Sequence, residues 1–195
     1  RSTLSEVNDT LLVQLPSTTL QVIIRPLLAS LFPGIDDESS EFLPLTLSLI
    51  ETLQKNLDDD SLFWQTCFLI MTSNKDRRLG ALVWLTKKFP SLNAIPHLVA
   101  DIEKEYPDFN NKDGSKLDKK KMKEVAFSTL LPTAKDLVQP EPGLLIRCFI
   151  ASLNNDNDLL IKRGSLDILL QRLHLNSPVI QNLINEEDKK LLIIN

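Results

Sequence analysis

Glycine is scarce in this 195-residue chain, five in all, and histidine and cysteine are scarcer at two each. Each shortage excludes something. Phosphate-cradling loops need closely spaced glycines at fixed offsets, and no such loop is present. His97, in "IPHLVADI", and His174, in "QRLHLNSP", have no second histidine, cysteine or acidic residue at ligand spacing. A zinc site needs that clustering, and a nucleophile needs a base within reach, so neither metal binding nor catalysis is expected and no cofactor is implied. Cys67 and Cys148 lie far apart in apolar runs, "WQTCFLIM" and "IRCFIASL", and read as reduced core residues of a cytosolic protein rather than a disulfide. There is no run of about 18 uncharged apolar residues and no signal-peptide pattern, so membrane association is expected to be peripheral or through a partner.

The net charge is −4, which argues against general nucleic-acid binding, because that needs a basic face. The charge is unevenly placed. Residues 1–60 carry 3 basic and 10 acidic side chains, whereas residues 61–90 carry 5 basic and 1 acidic. Asp58-Asp59-Asp60 sits at the start of an apolar stretch without a following EF-hand pattern, so helix capping is the reading there rather than a cation site.

What the chain does have is leucine, with little valine, a balance that favours helices over strands. Helical periodicity recurs almost throughout, punctuated by proline and Asp/Asn clusters. It predicts helices over about 5–15, 17–32 (bent or divided at Pro26), 42–57, 60–73, 75–89, 95–106, 121–131, 143–153, 158–173, 178–184 and 186–194. "LVQPEP" (137–142) reads as extended, and 108–120 as an exposed, lysine-rich loop. The whole of 1–195 is read as one all-α segment. It lacks an initial methionine and stops inside "KKLLIIN", so it is expected to be part of a larger protein.

Two short self-similarities suggest repetition. "IRPLLASL" (24–31) matches "IRCFIASL" (146–153), and "RRLGALVWL" (77–85) matches "KRGSLDILL" (162–170). Their offsets are near multiples of about 40 residues, the period of two-helix HEAT or armadillo-like units. One amphipathic helix pair cannot cover its own apolar side, so such units stack as an α-solenoid of about ten helices here. In 158–173, Leu159, Leu166, Leu169, Leu170 and Leu173 fall on one broad stripe, which this model buries. Lys162 and Arg163 lie at its edge, where their stems pack and their charges stay wet. Asp158 with Arg163, and Asp76 with Arg78, fit the Asp–Arg pairing between adjacent repeats of HEAT-type helices. Arg77, Arg78, Lys87, Lys88 and Arg147 join that pair as basic residues serving either repeat stacking or a partner; for Arg77, Arg78, Lys87 and Lys88, compensation by the acidic first third is the leading use and a groove for an acidic partner the alternative. A separate cluster, Lys112, Lys116, Lys119, Lys120, Lys121 and Lys123, carries four net positive charges against Asp113 and Asp118. Near an anionic leaflet each such residue contributes about 1 kcal/mol, while the plainer reading is a solvated loop.

Three blocks together resemble the N-terminal region of the Dopey family, especially its fungal members. They are "IIRPLLASLFPGI" (23–35), "DDSLFWQTCFLIMTSNKDRRLGALVWLTKKFPSLNAIPHL" (59–98) and "PEPGLLIRCFIASLNNDNDLLIKRGSLDILLQRLHLNSPVIQNLI" (140–184). The last is the most specific, with its Pro-Glu-Pro-Gly opening and its basic pair before a leucine helix. Residues 1–22 and 110–121 depart from the pattern. The resemblance implies a very large, helical, non-enzymatic scaffold, cytoplasmic and peripheral on Golgi and endosome membranes, acting in endosome-to-Golgi traffic. It further implies two protein partners, a large Arf-exchange-factor relative of the Mon-two type and an aminophospholipid flippase. The alternative it suggests is a membrane-recruitment module that binds phosphatidylinositol 4-phosphate. No oligomeric state follows.

Overall fold

The computed structural model describes residues 14–93, 124, 127, 128, 130, 132–154, 158–176 and 178–194. The predicted helices at 95–106 and, for the most part, 5–15 and 121–131 lie outside these residues, as does the loop 108–120. Among the described residues the chain is all-helical. Nine α-helices are present: α1 (Ser17–Leu31), α2 (Leu43–Leu57), α3 (Asp60–Ser73), α4 (Arg78–Lys88), α5 (Pro132–Val138), α6 (Pro142–Leu153), α7 (Leu159–Gln171), α8 (Pro178–Leu183) and α9 (Glu186–Ile194). Short 3₁₀ turns, Phe32–Ile35 and Lys75–Arg77, follow α1 and precede α4. One expectation is corrected here. Leu137 and Val138, read as extended, are the buried end of α5; the helix runs as far as the chain can before the proline at 140.

Local chemistry sets the helix ends. The three successive aspartates divide the labour between two helices. Asp58 ends α2 in the left-handed region (φ 56°), and the Asp59 side chain caps α3 by accepting from the Leu62 amide at 2.8 Å. Asp60 opens the first turn of α3, where its charge favours the positive end of the helix dipole. Asp158 caps α7 in the same way, accepting from the Leu160 and Ile161 amides at 3.0 and 3.2 Å. Pro26 neither divides nor ends α1, which runs through it. The span Ser17–Ile35 is helical for 19 residues and, by length and composition, apolar enough to cross a membrane, although Arg25 interrupts it. Its Leu20, Ile24, Leu28, Phe32 and Ile35 are instead in the core.

The helices pack in two rows. In the first, α3 lies between α1 and α6, and α6 in turn carries α9. In the second, the 3₁₀ turn at 32–35, on which α2 packs, is followed by α4, and α4 by α7. Sequential pairs bridge the rows, α1 with α2, α3 with α4, and α6 with α7. The short α5 fills the space against α3 and α6. The central helix α3 is buried nearly all round, through Phe63, Trp64, Cys67, Phe68, Ile70 and Met71. That is the signature of a helix covered on every side. Its aromatics extend into a chain of edge contacts, Trp64 to Phe89 and Phe89 to Phe149, that ties α3 to α6 through the residue ending α4.

Close approach inside the second row depends on small residues. Gly80 of α4 abuts the backbone of Phe32, and Gly164 of α7 abuts the Leu82 side chain of α4. The two internal similarities fall on this scheme. The first pair occupies α1 and α6 in row one, and the second occupies α4 and α7 in row two.

Candidate functional site

The basic residues singled out from the sequence sit at different levels of the fold. Arg78 is buried, 3% exposed, and its Nε donates to the Met71 carbonyl at 2.7 Å. Its Nη2 reaches towards the Thr72 carbonyl at 3.5 Å. A guanidinium there satisfies carbonyls at the end of α3 and places positive charge at the negative end of the helix dipole. Arg78 therefore turns to the end of α3, a correction of the expected pairing with Asp76. The remaining members face outward. Lys88 lies 2.6 Å from Glu51, and Lys87 4.0 Å from Glu38. Arg77 is close enough to Asp36 to act on its titration, although burial outweighs it and Asp36 is raised above the usual carboxylate range. The basic flank of α4 thus meets acids of the first third of the chain.

Arg147 on α6 joins two further acids, Glu141 at 2.8 Å and Asp188 of α9 at 3.3 Å. Asp188 is itself buried, and Asn185 donates to its second oxygen at 2.8 Å. These bonds fasten α9 onto α6.

The α7 basic pair brings two corrections. Asp158 is occupied in capping its own helix, and Arg163 lies 4.0 Å from Asp167 one turn on, so the expected Asp158–Arg163 pairing between repeats is not the arrangement found. The larger correction concerns the leucine stripe. Leu169 and Leu173 are buried, but Leu159, Leu166 and Leu170 are exposed, with Leu160 beside them. The buried face is Ile161, Ser165, Ile168 and Leu169 instead. Leucine lines both sides of this helix, so apolar periodicity alone did not choose between them. The small residues Gly164 and Ser165 carried the missing signal, because they mark where a neighbouring helix comes close.

Lys112, Lys116, Lys119, Lys120, Lys121 and Lys123 lie outside the described residues, as does His97. His174 is exposed at the end of α7, where its backbone amide donates to the Asn93 side chain at 3.0 Å. Cys67 and Cys148 are both fully buried free thiols, and burial pushes both upward in pKa. No sequence signal pointed to an open polar hollow lined by Asp58, Asp59, Asp60 and Asp136 together with Gln54, Lys55 and Gln139. Burial and then the charges of Asp60 and Asp59 raise the Asp136 carboxyl. Gln54 donates to Asp60 at 2.7 Å, and among the described residues no group of three or more His, Cys, Asp or Glu is placed to hold a metal ion. The arrangement is one of exposed surfaces and helix clamps.

Comparison with known proteins agrees along the whole length. The family model described as "Dopey, N-terminal" matches residues 1–195. The chain is 64% identical over 198 residues to Protein DOP1 of Saccharomyces cerevisiae, covering all of this chain and 12% of that protein. It is 29% identical over 200 residues to Protein dop1 of Emericella nidulans, covering 95% of this chain and 10% of that protein. The chain thus spans about an eighth of the length of the first relative and a tenth of the second. No solved structure matches it.

Proposed function

The chain belongs to the Dopey family, and from that footing we propose that it is a scaffold segment that works by binding proteins, without chemistry of its own. In this reading its helices form part of a HEAT-like α-solenoid. Supporting this are the two rows of helices, the pairing of successive helices across them, and the repeated motifs at equivalent places in each row. Stacked pairs hold a broad surface rigid at little entropic cost, which suits an adaptor. The partners we assign are a large Arf-exchange-factor relative of the Mon-two type and an aminophospholipid flippase. The setting is endosome-to-Golgi traffic on the cytoplasmic face of Golgi and endosome membranes. The family match over the full length of the chain carries this proposal.

Crosslinking mass spectrometry on the full-length protein with its exchange-factor relative tests it. Links from exposed lysines such as Lys75, Lys87 and Lys190 to that partner are expected, as is reduced capture when residues 1–195 are deleted. Unchanged, salt-tolerant capture after that deletion would sink the partner assignment. Salt-sensitive flotation on phosphatidylinositol 4-phosphate vesicles, abolished by Lys119, Lys120 and Lys121→Glu, would move the primary role to membrane recruitment.

A further inference from the structure

The helices α9 and α7 both pack on α6 and end the two rows, α9 after α6 and α7 after α4, and both carry apolar side chains outward. On α7, Leu159, Leu166 and Leu170 recur at i, i+7 and i+11, the spacing of a helix-on-helix seam. Leu159 is 81% and Leu170 71% exposed. The direction of this stripe follows from Gly164, which abuts Leu82 of the preceding row member. Leu166 is two positions on, about 200° around an α-helix, so the stripe points away from α4, along the row. On α9, Asp188 and Leu192 are buried towards α6, whereas Leu191 and Ile194 are exposed, Ile194 at 79%. Beside it a half-open notch of about 160 Å³ has apolar walls, Ile146, Leu175, Ile180, Ile184, Leu192 and Ile193, and a polar lining from Gln181, Glu186, Lys189 and Lys190. A notch of that size has room for a benzene-sized group against its apolar walls.

We propose that this face, formed by α7 and α9, is the seat of the next helical pair of the same polypeptide, the one that follows Asn195 in the full-length protein, with one large apolar side chain anchored in the notch. The proposal rests on the stacked reading above. Its occupant is argued from continuity, since each earlier row member is covered by the next, and from length, since the two relatives are roughly eight and ten times as long as the matched segment. Unpartnered, the stripe would leave several large leucines in water along one edge, a face of the kind that soluble proteins reserve for contacts.

The test uses purified full-length protein without partners. Leu166→Cys, and separately Leu170→Cys, is labelled with a maleimide and compared with Ser48→Cys, an exposed position on α2. The native Cys67 and Cys148 are buried, so this region has no background. Covered positions should label at least about tenfold more slowly than Ser48→Cys, the effect of a local opening equilibrium. A photo-crosslinking side chain at position 170, in a mixture of isotopically distinct copies, should link within one copy to a peptide C-terminal to residue 195. Labelling as fast as at Ser48→Cys overturns the proposal, as does a crosslink between copies or to a segment N-terminal to this face. None of these measurements involves the exchange-factor relative, so capture of that partner stands or falls separately.

Discussion

Replacing Gly80 by alanine tests the packing logic of the second row at one atom. A Cβ built on Gly80 lies 2.6 Å from Asp36 Oδ1 and 2.7 Å from the Phe32 carbonyl carbon, and closer still to that carbonyl's oxygen. Real Cβ contacts essentially never fall below 3.0 Å, and the obstacle here is backbone, which cannot rotate aside. The helix α4 must therefore move off the 3₁₀ turn, opening the contact that holds the first helical pair to the second. Overpacking of this kind costs about 1–3 kcal/mol, and a rigid obstacle belongs at the upper end. The alanine recovers roughly 1 kcal/mol of helix propensity. A net loss of about 1–2 kcal/mol is expected, or a fall of roughly 2–8 °C in Tm for a domain of this size. Gly164→Ala is the control. Its Cβ meets only the Leu82 side chain, at 2.9 Å from Cδ2, and a leucine can change rotamer. Overpacking and propensity should nearly cancel there. Urea unfolding followed by tryptophan fluorescence reports both, since Trp84 lies one turn beyond Gly80 on α4. If Gly80→Ala proved as stable as the parent, or no worse than Gly164→Ala, the close approach would not be what selects glycine at position 80.

Two further outcomes follow from buried groups. Arg78→Met keeps the apolar stem but strips the donor from the Met71 carbonyl, and should cost about 1.5–3 kcal/mol in the same unfolding assay. Arg78→Lys should recover only part, because an ammonium lacks the planar fork; a loss under about 0.5 kcal/mol for the Met variant, the range of ordinary surface changes, would contradict the capping role. Cys67 and Cys148 should resist iodoacetamide in the native state and react on unfolding. Burial raises both thiols in the folded state, so above about pH 8.5, the unfolded thiol value, the unfolded chain sheds protons that the native one keeps. Stability contributed by each thiol is whole below that pH and declines as pH rises, by about 1.4 kcal/mol per unit. Cys67→Ala should flatten the alkaline slope by that amount, and an unchanged slope would mean the thiol ionises in place.

The sequence alone determined the helical class and the position of most helix ends. Those features are local: leucine-rich 3.6-residue periodicity, prolines, and aspartates such as Asp59 and Asp158 act within a few residues of themselves. It also determined the family, because order and identity along 140–184 survive without any knowledge of contacts. Which side of a helix faces its neighbours is a different kind of fact. Leu159, Leu166 and Leu170 have the same transfer free energy as Leu169 and Leu173, so their fate rests on where α4 and α6 lie, and on Gly164 and Ser165 admitting them. The destinations of Arg78, Arg147 and Lys88 were likewise settled by which carbonyl or carboxylate another helix brought within reach. Hydrogen bonds and ion pairs act over a few ångströms, and only the folded chain turns separations of 41 residues, as between Arg147 and Asp188, into such distances.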